Sequence, residues 1–309
     1  MNPRPWLVTG AAGFIGPRVL RHLVALELPF VGLLAPGETP PPPPHPSPWP
    51  PNAFVTADLR DGRTLTSLVR DLQPAAALHL AAIGVAPGGT HDVDDFVRVN
   101  VLGPTVLLEA LPADAPFVQA GSMAQYVGGP DPLPEDSAPL SDTTLYAWSK
   151  NAAERLLRLV ASRTGKPVVR ARLFGVFGPG EPSHRLLPSI AAGAQAGSPI
   201  PLSDGEQLRD ALHVDDVAGA LVHLARSPSL FGKAVNVGRG EGRSVRWMAE
   251  YAARLLGCET LLRFGALPRR PGEPETLVAD TSRLRSSGWS PSMDLETSLS
   301  LSLPPTSSS

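Results

Sequence analysis

The sequence predicts an α/β fold built on a parallel β-sheet whose strands are joined by crossover helices. Short apolar runs alternate along the chain with longer segments of helical periodicity, which is typical of this architecture. The apolar runs lack a strict alternation of apolar and polar residues, as expected where helices cover both faces of a sheet. The 309 residues, 42% of them hydrophobic, allow one large domain or a large domain with a smaller lobe.

Each predicted element follows from a local pattern, taken in chain order. The predicted strands are Pro5–Thr9, Phe30–Leu34, Ala53–Ala57, Ala76–Leu80, Pro116–Ala120, Pro167–Phe174 and Ala234–Val237. The predicted helices are Phe14–Leu26, Leu65–Leu72, Asp94–Leu111, Leu145–Arg163, Asp216–Ala225 and Arg246–Leu256. For the helix from Leu145, Thr143 or Thr144 is expected as the N-terminal cap and Gly165 as the stop. The proline-rich segment 40–51 cannot be helical and is expected to be an extended surface connector.

Composition excludes several classes of function. The net charge of −2 and the lack of a dense basic run argue against a nucleic-acid-binding surface. The single cysteine, Cys258, cannot form an internal disulfide, and the longest apolar run, Ala75–Ala86, is too short to span a membrane. The N-terminus shows no secretory signal pattern, so we expect a cytoplasmic protein. No spacing of His and Cys residues suggests zinc, and no metal is expected.

A glycine-rich segment follows the first predicted strand directly. It reads Gly-Ala-Ala-Gly-Phe-Ile-Gly at 10–16 and opens the first predicted helix. Glycine is needed where the backbone turns sharply and where a pyrophosphate approaches main-chain N–H groups closely. The N-terminus of the helix adds a partial positive charge. The alternative is a structural turn, but the strand–turn–helix context favours a dinucleotide-binding loop.

Candidate catalytic groups lie further along the chain. Tyr146 and Lys150 are four residues apart on one predicted helix, so their side chains share a face. A neighbouring ammonium favours the phenolate and tunes a tyrosine for general acid–base work. Ser122 follows an apolar strand, where its hydroxyl can bind a substrate oxygen, and Asp58 follows another, where its carboxylate can accept from an adenine amino group. Each of these residues also has a non-functional explanation. The Tyr146–Lys150 spacing can arise by chance, and Ser122 and Asp58 can be turn-forming residues.

The order of the glycine loop, Asp58, Ser122, Tyr146 and Lys150 resembles the extended short-chain dehydrogenase/reductase family. This family, also called the NAD-dependent epimerase/dehydratase family, includes nucleotide-sugar epimerases, dehydratases and ketoreductases. Further matching segments are His-Leu-Ala-Ala at 79–82, Val-Asn-Val-Leu-Gly at 99–103, Arg-Leu-Phe-Gly-Val-Phe-Gly-Pro-Gly at 172–180, Arg-Asp-Ala-Leu-His-Val-Asp-Asp at 209–216 and Arg-Pro-Gly-Glu at 270–273. The resemblance covers nearly the whole chain to about Pro291.

The resemblance implies a doubly wound parallel sheet of the Rossmann type that binds NAD or NADP, with a smaller C-terminal substrate-binding lobe. The dinucleotide-binding domain would cover 1–174, with 207–238 returning to it; the lobe would cover 175–206 and 239–291, and 292–309 would be a disordered tail. The implied cofactor-binding residues are Gly10, Gly13, Phe14, Ile15, Gly16, Asp58, Leu59, Leu80, Ala81, Ala82, Asn100, Tyr146 and Lys150. The implied catalytic residues are Ser122, Tyr146 and Lys150, and the expected substrate contacts are Ser122, Arg185, Arg209 and Arg270, with His184 as a further candidate.

Departures from the family pattern narrow the expected reaction. Sugar 4,6-dehydratases of the family carry Asp-Glu after the catalytic hydroxyl residue, whereas this chain has Met123 and Ala124, which supply neither acid nor base. NAD-binding relatives usually place an acidic residue near Leu34, and its absence favours NADP. Gly175 stands where many relatives place Asn against the substrate diphosphate, which keeps a non-sugar ketone open as a substrate.

We therefore predict an NADPH-dependent reductase of a 4-keto-6-deoxy nucleotide sugar. The alternatives are a nucleotide-sugar 4-epimerase with tightly bound NAD, a reductase of a non-sugar ketone, and a non-catalytic dinucleotide-binding sensor. A homodimer is expected through the helices Asp94–Leu111 and Leu145–Arg163, although their apolar residues would also suit packing on the sheet.

Two histidine segments have structural interpretations. His-Val-Asp-Asp at 213–216 looks like a metal or carboxylate site, but Asp215 is expected to cap the following helix, with Asp216 in its first turn. His79 lies in an apolar strand and is expected to be a core histidine with its hydrogen bonds satisfied.

Overall fold

The computed structural model of the protein describes residues 3–44, 48–84, 91–130 and 132–304. Its strands are β1 Trp6–Thr9, β2 Phe30–Leu34, β3 Phe54–Thr56, β4 Ala76–His79, β5 Phe117–Ala120, β6 Val168–Leu173, β7 Gly175–Phe177, β8 Ile200–Pro201, β9 Leu208–His213, β10 Ala234–Val237, β11 Gly242–Ser244, β12 Leu262–Arg263 and β13 Thr276–Leu277. Its helices are α1 Gly16–Ala25, α2 Gly62–Leu72, α3 Val93–Asp95, α4 Gly103–Ala110, α5 Leu145–Thr164, α6 Leu186–Ala196, α7 Val214–Ala225, α8 Val245–Leu256, α9 Ser282–Ser286 and α10 Leu295–Ser302. A π-helical segment, Phe96–Leu102, joins α3 to α4.

The predicted strands and helices are confirmed, except that the predicted helix Asp94–Leu111 is π-helical over Phe96–Leu102. Differences at the ends of the elements have local causes. Helix α2 begins three residues earlier than predicted because the Asp61 carboxylate accepts the N–H groups of Arg63 and Thr64. Thr144 caps α5 by accepting from the N–H of Ala147. Gly165 ends α5 in the left-handed conformation.

The first compact unit comprises Met1–Tyr126, Leu140–Leu173 and Ala218–Val235. It is built on a seven-stranded sheet in the order β10-β6-β5-β4-β1-β2-β3. Strand β1 is parallel to both neighbours, with Thr9 opposite Leu33 in β2 and opposite His79 in β4. The direction of strand addition reverses between β1 and β4, which makes their carboxyl ends the switch point where ligands bind in open α/β sheets. The predicted Rossmann-type sheet is confirmed.

Helices pack on the sheet of the first unit, and their buried side chains form an apolar core with those of the strands. Leu65 from α2, Leu107 from α4 and Leu157 from α5 are fully buried together with Leu7 and Phe117 from the strands. Strands β1, β2 and β4 are buried along their whole length, so they lack the alternation of a half-exposed sheet.

The second compact unit comprises Val127–Pro139, Phe174–Val217 and Asn236–Ser309. Strand β9 is central to it, since β9 pairs with β7, β11 and β13. Its apolar core includes Phe177, Ile190, Ile200 and Ala249. The compact units divide the chain differently from the expected domains: of the segment 207–238, residues 207–217 and 236–238 lie in the second unit and 218–235 in the first.

The expectation of a disordered tail is wrong for residues 292–304. The Asp294 side chain accepts the N–H of Thr297 and starts α10. Leu295 and Leu299 of α10 are buried in the core of the second unit. Apolar residues one helical turn apart thus hold the helix on the core. Residues 305–309 of the expected tail lie outside the described residues.

The proline-rich connector is anchored by one aromatic residue. Trp49 packs edge-on against Phe30 and Phe54, with ring centroids 5.7 and 5.8 Å apart, and its indole N–H donates to the Pro41 carbonyl at 2.7 Å. The described part of 40–51 has no helix or strand, and 45–47 lie outside it. Among the described residues, no helix combines the length and the apolar character needed to cross a bilayer.

Candidate active site

The glycine loop connects the end of β1 to the start of α1. Gly10 has φ of +67°, and a Cβ there would stand 2.7 Å from the backbone N of Ala81. A Cβ on Gly16 would stand 2.6 Å from the Ala11 carbonyl oxygen, so the first turn of α1 closes only on glycine. Gly13 is exposed between them, and no side chain caps α1. The loop leaves room for an anionic group at the helix N-terminus.

The loop after β4 is held against the glycine loop by buried polar groups. Thr9 Oγ1 accepts the N–H of Ala81 at 3.2 Å and bonds His79 Nδ1 at 2.7 Å. Burial lowers the pKa of His79 to about 3, so the ring is neutral. His79 is a core residue as predicted, but its buried Nε2 has no hydrogen-bond partner among the described residues, so the ring is satisfied on one side only.

Asn100, expected to contact the cofactor, bonds the protein with both of its amide hydrogens. Its Nδ2 donates to the Ile83 carbonyl at 2.9 Å and to Ser149 Oγ at 3.0 Å, and its Oδ1 accepts the Ile83 N–H at 2.9 Å. It lies in the π-helical segment, a feature often found near functional sites. Asn100 therefore fixes Ile83, which directly follows Leu80, Ala81 and Ala82, and its contact with the cofactor stays a prediction.

Tyr146 and Lys150 lie together in the first turns of α5. The Lys150 Nζ is 5.7 Å from the centre of the Tyr146 ring and donates to the Ala120 carbonyl at 2.8 Å. Lys150 is 4% exposed, and burial lowers its pKa to about 8. Lys150 still carries its charge at neutral pH, and a nearby cation favours the ionised form of a phenol.

Ser122 lies just beyond β5, at the N-terminus of a short 3₁₀ helix, Met123–Gln125. Its Oγ accepts the N–H of Ala124 at 3.2 Å, and its own N–H donates to Gln125 Oε1 at 2.9 Å. With an acceptor site of the hydroxyl already used, its proton remains for donation to another oxygen. Met123 and Ala124 offer no titratable group next to it.

Asp58 lies after β3 and is paired within the chain. The Arg60 guanidinium donates to both carboxylate oxygens, at 2.8 to 3.1 Å, and the Arg60 N–H donates to Oδ1 at 2.9 Å. The hydrogen bonds from Arg60 lower the pKa of Asp58. Leu59 packs against the core cluster of the first unit. Asp58 thus presents an ionised, acceptor-only carboxylate.

A carboxylate that the sequence interpretation missed lies at the end of β2. A turn over residues 35–38 has Gly37 at φ +87°. The Glu38 N–H closes this turn by donating to the Ala35 carbonyl at 3.0 Å. The Glu38 Oε2 accepts the Ala35 N–H at 2.8 Å. An acidic group thus reaches the end of the second strand although Leu34 itself is apolar.

Two signals in the sequence could have revealed residues that were missed. Pro36-Gly37 is a standard turn dipeptide that brings the fourth residue, Glu38, back to the first. Ser122-x-x-Gln125 has the spacing of a capping box, in which the Gln side chain accepts the Ser N–H. Both features depend on residues three apart, so local spacing is sufficient to predict them.

The expected substrate contacts of the second unit differ in their surroundings. Arg209 on β9 is buried, and its Nη2 donates to Glu273 Oε1 at 2.6 Å. Arg185 lies 3.0 Å from Glu181 through its Nε. The exposed Arg270 has no side-chain hydrogen bond or ion pair in the part of the chain that the structure describes, and His184 is exposed. Of the three expected arginine contacts, Arg270 is the most available to an anion.

The local structure explains the roles of Asp215 and Gly175, two further positions that the sequence singled out. Helix α7 begins at Val214, so the expectation that Asp215 caps it is wrong, and Asp215 lies in the first turn with Asp216. The ring Nδ1 of His213 accepts the Asp215 N–H at 3.3 Å and takes the capping position. A Cβ on Gly175 would stand 2.6 Å from the Asp210 carbonyl oxygen, so the close pairing of β7 with β9 excludes a side chain there.

The sheet order and the glycine loop define a dinucleotide-binding α/β protein. The chain belongs to the NAD dependent epimerase/dehydratase family, whose family model matches residues 6–238. It is an NAD(P)-dependent enzyme of this family, as the sequence predicted, and the interpretation as a non-catalytic sensor is wrong.

Similar proteins extend over almost the whole chain. The UDP-glucose 4-epimerase of Azospirillum brasilense is 31% identical, over 93% of this chain and 87% of the relative. The dTDP-glucose 4,6-dehydratase of Xanthomonas campestris pv. campestris is 28% identical, over 96% of this chain and 92% of the relative. The structure of MoeE5 in complex with UDP-glucose and NAD matches with a TM-score of 0.81 at 29% identity, covering 96% of this chain and 97% of that one.

Proposed function

We propose that the protein is a nucleotide-sugar 4-epimerase that keeps NAD bound between turnovers. The observation that carries the proposal is the Glu38 carboxylate, fixed on the Ala35 N–H at the end of β2. A carboxylate at this end of the sheet accepts hydrogen bonds from the ribose 2′-hydroxyl of NAD and repels the 2′-phosphate of NADP. The 4-epimerase relative and the NAD-bound neighbour support the same assignment.

The residues around the switch point fit a dinucleotide. The glycine loop has no room for Cβ atoms at Gly10 and Gly16 and offers the uncapped N-terminus of α1 to a pyrophosphate. In the proposal Glu38 holds the adenosine ribose, Asp58 accepts from the adenine, and Lys150 donates to the nicotinamide ribose. Bound NAD would supply the hydride acceptor for oxidation of the sugar carbinol and the donor for its return, so no external reductant is consumed.

Ser122, Tyr146 and Lys150 are proposed to handle the proton. The Tyr146 phenolate takes the hydroxyl proton when the C4–OH is oxidised and returns it when the carbonyl is reduced, so the proton balance over a turnover is zero. The charge of Lys150 stabilises the phenolate, and the Ser122 hydroxyl donates to the sugar oxygen. Met123 and Ala124 supply no further acid or base, so elimination of water is not supported.

The substrate class rests on the arginines and on the relatives. We propose that Arg270 and Arg209 contact the diphosphate of a nucleotide sugar, with Arg185 and His184 as further contacts. Because Glu273 already bonds Arg209, binding through Arg209 would require this pair to share or exchange its hydrogen bond. MoeE5 is recorded with UDP-glucose, which supports the class.

The NADPH-dependent 4-ketoreductase predicted from the sequence would use the same Ser122, Tyr146 and Lys150. The argument for NADPH was the lack of an acidic residue near Leu34, and Glu38 removes that argument. The two functions differ in a measurable way, because an epimerase needs no added reductant and a ketoreductase consumes one NADPH per turnover.

A direct assay tests the proposal. Purified protein is denatured and its released dinucleotide is identified by chromatography, and the native protein is incubated with UDP-glucose or dTDP-glucose without added cofactor. We expect stoichiometric NAD and appearance of the 4-epimer by NMR. Oxidation of NADPH with a 4-keto-6-deoxy nucleotide sugar, in protein purified free of NAD, would establish the ketoreductase instead.

We also propose a homodimer. Leu102 on the π-helical segment and Trp148 and Leu159 on α5 are exposed at 47%, 38% and 46%. Apolar side chains of this size on two neighbouring helices fit a contact with a second copy. The mass in solution, measured by light scattering, tests this arrangement.

A further inference from the structure

We propose that Gln125 is a positioning residue that sets the orientation of Ser122 in the reaction. The inference rests on the proposed function only through the role given to Ser122. Gln125 is 0% exposed and lies at the end of the 3₁₀ helix that Ser122 begins. Its Oε1 accepts the Ser122 N–H at 2.9 Å, so it fixes the backbone that carries the hydroxyl.

The orientation of the Gln125 amide is determined by its other partners. Its Nε2 donates to Glu154 Oε2 at 2.9 Å and to Asn151 Oδ1 at 3.0 Å. An ionised carboxylate accepts hydrogen bonds and cannot donate them. The amide nitrogen must therefore face Glu154, and the amide oxygen must face Ser122.

Arg172 keeps Glu154 in the ionised form that this orientation requires. Its Nε and Nη2 donate to the two carboxylate oxygens at 3.0 and 2.6 Å, and Arg170 Nε lies 3.5 Å from Oε1. Burial by itself would raise the pKa of Glu154, but the hydrogen bonds and charge of Arg172 outweigh it and lower the pKa. The two arginines on β6 are thus connected through Glu154 and Gln125 to the Ser122 turn.

Gly121 leaves the space that the Gln125 amide oxygen occupies. A Cβ on Gly121 would overlap Gln125 Oε1, so only glycine before Ser122 admits the amide. The Ser122 Oγ is fixed from the other side by the Ala124 N–H. Both contacts are needed to aim the hydroxyl, and a displacement of about 1 Å in such a group can lower a rate by about a hundredfold.

A double-mutant cycle tests the role in catalysis. Gln125→Met keeps the length of the side chain and the Glu154–Arg172 pair but removes the acceptor for the Ser122 N–H. We expect kcat to fall about tenfold with the sugar KM nearly unchanged. In a Ser122→Ala background the same substitution should cause no further loss, because Gln125 acts through the Ser122 hydroxyl. An equal tenfold loss in that background would overturn the inference.

A second measurement is independent of turnover. Hydrogen exchange of the Ser122 amide should be at least about tenfold faster in Gln125→Met than in the wild type, since its acceptor is lost. This result is obtained even if the protein does not epimerise the sugars tested, so failure of the proposed function and failure of this inference are distinguishable. An unchanged Ser122 exchange rate would overturn the inference.

Tyr126→Phe is the matched control. Its hydroxyl accepts from Arg172 Nη1 at 2.7 Å, so its removal loosens the network while the side chains of Gln125 and Ser122 are kept. We expect a lower Tm with kcat and Ser122 exchange as in the wild type. A loss of kcat equal to that of Gln125→Met would mean that general loosening causes the effect, and would overturn the inference.

Discussion

Glu154 in the first compact unit is a largely buried carboxylate, Asp210 in the second is a fully buried one, and the two are stabilised in different ways. Glu154 in the first unit is bonded by the forked guanidinium of Arg172 and by a side-chain amide. Asp210 in the second unit accepts three backbone N–H groups, from Arg239 and Gly240 at 2.8 Å each and from Ala279 at 3.2 Å.

The difference appears in the pKa of the two groups. Arg172 lowers the pKa of Glu154 despite the opposing effect of burial, whereas burial raises the pKa of Asp210 to about 6. Both remain ionised at neutral pH. The first carboxylate joins side chains next to the proposed reacting groups, and the second ties together two loops of backbone. Removing the Gln125 amide that connects Glu154 to Ser122 should therefore change turnover, and substitutions at Asp210 should change stability.

The largest expected effect is that of Tyr146→Phe. Removing the phenolic hydroxyl removes the proposed proton carrier, and kcat should fall by about a thousandfold. The ring remains, so the melting temperature and the content of bound dinucleotide should stay the same. Steady-state kinetics and thermal unfolding measure both.

Tyr251→Phe provides the control for this change, because Tyr251 lies in the second unit and stacks on Trp247 with a ring separation of 5.3 Å. Its kcat should equal that of the wild type. Full activity in Tyr146→Phe would refute the assignment of Tyr146.

The sequence predicted most of the first unit because its signals are local. The glycine loop, the Thr144 cap and the Gly165 stop each depend on neighbouring residues, and all lie where expected. The parallel sheet followed from apolar runs that both faces of the sheet bury.

The second unit was predicted less well because its contacts join distant parts of the chain. Strand β9 pairs Leu208 with Ser244 on one side and with Thr276 on the other, and no local pattern encodes such pairs. The same reason explains why the link from Gln125 through Glu154 to Arg172 was missed. Each residue lies on a different element, so only the fold brings them together.

Lys150→Met should lower kcat by less than Tyr146→Phe does, and it should change how the free energy of unfolding depends on pH. Burial lowers the pKa of Lys150 to about 8 from its ordinary 10.5. Between these values the folded protein binds fewer protons than the unfolded chain, so the wild type gains stability as the pH rises through this window. The gain is at most about 3 kcal/mol. Lys150→Met should lack this rise and should be more stable than the wild type at pH 7.

Urea unfolding at pH 7.5, 8.5 and 9.5, chosen to follow the window between about 8 and 10.5, measures the difference. Lys233→Met, at an exposed lysine, should keep the wild-type rise. The same slope in Lys150→Met as in the wild type would show that the ammonium is not desolvated in the folded protein.

The smallest expected effect is that of Asp210→Ala, which should lower the free energy of unfolding. The three buried N–H groups lose their acceptor, and relief of the buried charge offsets part of this loss. The free energy of unfolding should fall by about 2 kcal/mol with the denaturant m value unchanged. Asp204→Ala is the control in the same unit, because Asp204 is a half-exposed partner of Arg269 at 2.7 Å and ion pairs near the surface contribute little. If both variants lost stability equally, the three backbone bonds would not be what distinguishes Asp210, and its contrast with Glu154 would fail.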